Sequence, residues 1–169
     1  MQDTPDTRAV IVCDACVLIN FLIIDRLDLL SRNARFCFVV TEHVTGEITD
    51  PVQSAALRVA LQKVEIEQVD LTDPEGLVLF AELRKTLGKG ESAAIALAAR
   101  RGWAVATDDS QTRREIERRL GKGRLLTTPG ILVEAIHSEA LTVEGADEIK
   151  ARLEAHRFRM NFGSFAEIV

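Results

Sequence analysis

The chain has 169 residues, 47% of them hydrophobic and 28% charged, with a net charge of −5. That length supports one domain with a sizeable core, and the balance excludes disordered, collagen-like and disulfide-dense classes. No apolar run reaches the roughly 18 residues needed to span a bilayer, because Asp14 and Asn20 interrupt the longest, Val10–Ile24. Met1–Arg8 is polar, so no secretion signal is expected and a cytoplasmic location follows.

Ala9–Cys13 is a continuous apolar run, the pattern of a strand buried on both faces. Asp14 ends it, and Ala15–Ile24 reads as a helix packed back on the sheet, with Asp14 as its N-cap or as a functional acid. Asp25 breaks the run, and Leu27, Leu29 and Leu30 open a short second helix. Phe36–Val40 is a second buried strand, followed by a helix over Thr41–Thr49 that carries Glu47. Asp50-Pro51 and Asp73-Pro74 each place a proline behind a capping acid and open further helices, the later one running to about Leu87. Between them, Val64–Val69 alternates like a half-exposed edge strand.

Gly88–Asp109 is the densest stretch. A glycine turn leads into an alanine-rich helix from Glu91, Gly102 stands where a left-handed cap belongs, and Trp103–Thr107 is a buried strand. Asp108 and Asp109 come where that strand ends, the edge at which open α/β sheets bind ligands. Ser110–Leu120 is an arginine-rich helix, Arg124–Thr127 a fifth short strand, and Ile131–Ala140 a helix opened by Thr128-Pro129-Gly130. A helical extension from about residue 142 follows, with Glu144–His156 amphipathic and Ser164–Val169 a last turn. Alternating strands and helices call for an α/β fold with a parallel sheet covered on both faces. No repeat or linker divides residues 1–169, so one domain is expected.

The three cysteines cannot all pair. Cys13-Asp14-Ala15-Cys16 is formally a C-x-x-C, but it reads best as two buried thiols flanking an aspartate. His43, His137 and His156 stand alone in helical stretches as surface or capping residues. Residues 100–124 hold eight basic side chains against four acidic ones, a balance of +4 that leaves −9 for the rest. Arg113, Arg114 and Arg118 on that helix are candidates for a phosphate backbone. The competing reading is a solvated face with pairs such as Glu115–Arg118 and Glu115–Arg119.

Asp14, Glu47, Glu91, Asp108 and Asp109 thus fall at comparable places on separate elements. Clustered carboxylates repel unless a cation lies among them, and an all-oxygen set selects Mg²⁺ or Mn²⁺ over zinc. Two such ions about 4 Å apart activate water and stabilise the leaving oxygen of a phosphodiester. Asp14, Glu91 and Asp108 are the expected metal ligands. Glu47 and Asp109 would orient water or bind a second ion, and Thr107 or Ser110 would hydrogen-bond a ligand carboxylate.

At these residues the chain resembles the PIN-domain nucleases, and among them the VapC-like toxins of toxin–antitoxin pairs. The matching segments are Val-Cys-Asp14-Ala-Cys, Val44-Thr45-Gly46-Glu47-Ile48, Gly88-Lys89-Gly90-Glu91-Ser92-Ala93 and Ala106-Thr107-Asp108-Asp109, and the resemblance covers roughly Ala9–Ala140. It implies a three-layer α/β/α fold with a five-stranded parallel sheet in the order 3-2-1-4-5. It also implies Mg²⁺- or Mn²⁺-dependent cleavage of single-stranded RNA, a homodimer, and an antitoxin that blocks the site. Glu91 stands where many of these toxins carry aspartate, and the tail after about Thr142 is longer than theirs. The alternative from another class is a PIN-like module that binds RNA or protein without turnover. A haloacid-dehalogenase-type phosphatase would need an aspartate where Cys16 stands.

Overall fold

The computed structural model describes residues 8–169; the polar segment Met1–Thr7 lies outside the described residues. Five strands form one all-parallel sheet: β1 (Ala9–Cys13), β2 (Phe36–Val40), β3 (Glu67–Gln68), β4 (Ala104–Ala106) and β5 (Leu125–Leu126). Their order is β3-β2-β1-β4-β5, as the resemblance implied. Consecutive side chains of a strand point to opposite faces, and both faces are covered. On one face Ile11, Cys13, Phe38, Val40 and Ala106 pack against α1 (Ala15–Ile23), α2 (Asp28–Ser31), α3 (Glu42–Glu47), α4 (Pro51–Gln62), α8 (Thr128–His137) and α9 (Val143–Ala155). On the other, Val12, Val39 and Val105 pack against α5 (Pro74–Leu83), α6 (Lys89–Arg101) and α7 (Ser110–Arg119). The result is a three-layer α/β/α PIN-like fold.

Local chemistry sets the helix starts. Asp50 accepts from the Val52 and Gln53 amides ahead of Pro51, and Asp73 accepts from Gly76 ahead of Pro74. Thr41 caps α3 through the Val44 amide. Gly102 closes α6 in the left-handed region (φ 71°), where a side chain would be strained. The expected strand over Val64–Val69 shrinks to two residues, because Val64 sits in a left-handed turn (φ 56°) that delays the pairing with β2. The expected helix to about Leu87 ends at Leu83. After α9 the chain turns back, and Met160 and Phe165 enter the same buried cluster as Val17 and Leu18 of α1. No helix among the described residues is long and apolar enough to cross a membrane.

Candidate active site

β1 and β4 lie side by side, with Cys13 paired to Ala106, so Asp14 and Thr107 leave the sheet together at its carboxyl edge. This is the point where the strand order reverses, the usual ligand crevice of an open α/β sheet. Asp14 is 2% exposed. Its Oδ1 caps α1 by accepting from the Ala15 amide at 2.8 Å, and its Oδ2 accepts from the Thr107 hydroxyl at 2.8 Å. The Cys16 thiol lies 3.3 Å from the same Oδ2 and accepts from the Asp108 amide at 3.3 Å. Burial pushes the Asp14 carboxyl above its ordinary range, the three hydrogen bonds pull against it, and the charge of Glu47 adds to the rise. Burial beside Asp14 likewise drives the Cys16 thiol up to about 12, so it stays protonated.

The first turn of α6 brings the next two acids in. Its amide ends and dipole favour negative charge. Glu47, at the end of α3, accepts from the Gly90 amide at 2.7 Å. A Cβ at Gly90 would stand 2.7 Å from the same carboxylate, so only glycine lets Glu47 lie there. Glu91 curls back over Gly88, whose missing side chain leaves the space. The Glu91 carboxyl is raised by burial first and then by the charges of Asp14, Glu47 and Asp109. Glu91 thus feels the charges of three other acids. A cleft of about 330 Å³ beside Glu47 is lined also by Glu42, His43, Gly46 and Lys89.

The pair after β4 splits across the sheet. Asp108 turns toward α8 and α1: Oδ1 accepts from the Thr128 amide at 2.9 Å, and Oδ2 accepts from the Thr128 hydroxyl at 2.5 Å and from Asn20 at 3.1 Å. Burial raises its carboxyl, and these bonds oppose the rise. Asp109 turns the other way and caps α7, its Oδ1 taking both the Thr112 amide at 2.7 Å and the Thr112 hydroxyl at 2.8 Å. These bonds, the amide first, hold it below the ordinary carboxylate range.

Sequence reasoning gave no site role to Asn20, Gly90 or Thr128, and read Cys16 as a buried thiol beside the aspartate, where it is half-buried. Asn20, a lone amide inside an apolar helix and 7% exposed, was the available signal. The Thr107 hydroxyl donates to Asp14, whereas Ser110 begins α7 and no hydrogen bond joins it to a carboxylate among the described residues. Arg113 and Arg114 are exposed near the aspartate pair; the charge of Arg113 opposes the burial-driven rise of Asp108, and that of Arg114 adds to the hydrogen bonds that lower Asp109. Arg118 is held by Glu115 in a two-point pair.

The donor set suits a hard divalent cation: the acids at this edge are all carboxylates, and burial first, then like charge, raises Asp14 and Glu91. As the side chains lie, no three His, Cys, Asp or Glu among the described residues gather into a ligand shell. Residues 10–169 match the family model DUF3368, described as a PIN domain. No curated protein matches the chain.

Proposed function

Because this chain belongs to the PIN-domain family, a nuclease-type fold, we propose that it is a Mg²⁺- or Mn²⁺-dependent endonuclease that hydrolyses phosphodiester bonds of single-stranded RNA. The observation that carries this reading is the placing of acids at the carboxyl edge of the sheet: Asp14 directly after β1, and Glu47 bound to the Gly90 amide beside Glu91 in the first turn of α6. Asp14 and Glu91 would hold the ion. The third acid would come from the aspartate pair, Asp108 or Asp109; the oxygens of Asp108 already serve Thr128 and Asn20, as those of Asp14 serve Ala15 and Thr107. A bound ion supplies an activated water and offsets the charge on the leaving oxygen. The chain's own residues do the rest. Thr107 and Cys16 fix the direction of the Asp14 carboxylate, and the Gly90 amide fixes Glu47. Lys89, Arg113 and Arg114 border this edge and would receive the phosphates of the strand.

The resemblance to VapC-like toxins supports a narrower role: a cytoplasmic, homodimeric toxin silenced by an antitoxin that covers the acids. Purified protein incubated with a labelled single-stranded RNA tests the activity directly, with cleavage expected in Mn²⁺ and none in EDTA. Cleavage that survives EDTA overturns the metal mechanism. For the toxin role, expression of the chain should arrest growth, and the product of a neighbouring small gene should relieve it.

One observation favours a second reading, RNA or protein binding without turnover: the carboxylates do not close into a ligand set as they lie. Calorimetric titration with Mn²⁺ separates the two. A protein indifferent to Mn²⁺ that cleaves no RNA would favour the binding module.

A further inference from the structure

The opposite edge of the sheet, where the strands begin, carries a second site of contrary charge. A cleft of about 420 Å³ opens there between the start of β1, the α6–β4 turn and the turn before β5, lined by Arg8, Gly102, Trp103, Ala104, Gly123 and Arg124. None of its lining residues is acidic. Arg101 stands at the rim: it lines the neighbouring cleft with Asp70, Thr72 and Asp73, and its guanidinium lies over the Trp103 ring, 5.6 Å from the centroid. Arg100, one residue earlier, is bound to Asp73 and Glu75, and Arg119 is bound to Glu115 and Glu82. Arg101 and Arg124 have no ion pair among the described residues. A protein of net charge −5 that leaves these two cations unneutralised around an indole holds charge ready for a polyanion.

We infer that this cleft is an anchoring site for single-stranded RNA, one that grips phosphodiesters with Arg124 inside it and Arg101 at its rim and offers the half-buried Trp103 as a stacking surface. The inference deepens the nuclease reading and rests on it for the identity of the strand. Arginines around an aromatic ring are the usual means of holding a nucleic-acid strand without reading its sequence. α7 connects the two sites. Its ten residues span about 15 Å, with the exposed Arg113 and Arg114 near the aspartates and Lys122 and Arg124 just beyond its far end. A strand cut at the carboxylates can follow this flank to Trp103. Gly102 lies between Arg101 and Trp103 in the left-handed region, φ 71°, where a side chain would be strained.

Trp103 is the chain's single tryptophan, so its emission reports on this cleft alone. The full chain in EDTA, where RNA stays intact, is titrated with an oligouridylate long enough to follow α7 and, separately, with a uridine dinucleotide. The oligouridylate should change the emission saturably, and the dinucleotide far less. In an Arg101→Ala/Arg124→Ala double variant the affinity should fall, and the salt slope should drop by about 0.7 for each lost phosphate contact. Arg124→Lys, which keeps the charge and guards against a folding artefact, should recover part of both. An unchanged emission, or a double variant with wild-type slope, overturns the inference. So does equal quenching by polyglutamate that RNA does not displace, since the cleft would then take an acidic peptide. Metal-dependent cleavage without any Trp103 response overturns this inference and leaves the nuclease; a Trp103 response without cleavage does the reverse.

Discussion

The carboxylates of the sheet edge and those of the α5–α7 flank are the same chemical group under opposite conditions. At the edge, Asp14 and Glu91 are pushed above the ordinary range by burial, with neighbouring acids adding to it. On the flank, Glu115 is pulled from 4.5 to about 2 by Arg118 and Arg119, and Glu82 is lowered by Arg119. The flank satisfies its charges locally and gains stability from them. The edge leaves like charges facing one another, which only an added cation or a proton can relieve. A fold tolerates that cost where the relief is used for binding. The way to break the contrast is to neutralise one group at a time and ask whether stability rises or falls.

The largest effects belong to cleavage. Asp14→Asn keeps an acceptor for the Ala15 amide and removes the charge. Loss of a group that merely positions a metal ligand costs about 10–100-fold, so loss of this proposed ligand should exceed about 100-fold in initial rate with Mn²⁺. Wild-type rates in the variant would remove Asp14 from the mechanism. Gly90→Ala probes Glu47 without touching an acid. The new methyl group claims the space of the Glu47 carboxylate, and a fall of about 10–100-fold is expected with little change in melting temperature. If that variant instead unfolds early and cleaves normally when cold, Glu47 contributes packing alone.

Stability then separates the two aspartates' surroundings from Glu91. Asp108 receives three donors, so Asp108→Ala takes the acceptor from the Thr128 amide and leaves Asn20 and the Thr128 hydroxyl only each other, and should cost about 1–3 kcal/mol. Glu91→Gln should act oppositely. Its carboxyl is raised in the folded state, so its contribution is fully present below the unfolded value of about 4 and is lost as pH rises through the folded one. Metal-free wild type should therefore melt below Glu91→Gln at pH 7.5, and the gap should close toward pH 4. Mn²⁺ at a hundred times its Kd should stabilise the wild type by about 2.7 kcal/mol and the variant by much less. A Glu91→Gln protein that melts earlier at pH 7.5 without metal would show that Glu91 is a helix cap and no more.

Much of this was readable in the sequence where the chemistry is local. The caps at Asp50 and Asp73 formed as expected, because each needs only its own next few amides. The strand order followed from the motif order once the resemblance was seen. Strand lengths at the sheet margins did not, since pairing of Glu67–Gln68 depends on β2 and on the turn at Val64. Four acids could be placed at one edge by spacing, but their directions depend on partners far along the chain: Asp108 on Thr128 and Asn20, Glu47 on Gly90, Asp14 on Thr107. The cleft at Trp103 left no motif at all, because its arginines come from separate turns and only the fold brings them together.

The smallest effect is the most direct test of the contrast. Glu115→Gln removes the acid that Arg118 and Arg119 share. Surface pairs are worth about 0.2–1 kcal/mol, and Arg119 keeps Glu82, so the loss at pH 7 should fall within that range. The sign of its pH dependence is the reverse of the sheet edge. A carboxyl lowered from 4.5 to about 2 contributes stability that is present above pH 4.5 and fades as pH falls toward 2. Wild type and variant should therefore melt apart at pH 7 and converge in acid, whereas wild type and Glu91→Gln converge in acid from the other side. Freed of Glu115, Arg118 also becomes available to RNA, so the variant should bind a single strand more tightly at low salt, with a steeper slope by about 0.7. A variant with unchanged slope and unchanged acid stability would mean that the flank's charges are already solvated, and that the difference between the two regions lies wholly in the burial of Asp14 and Glu91.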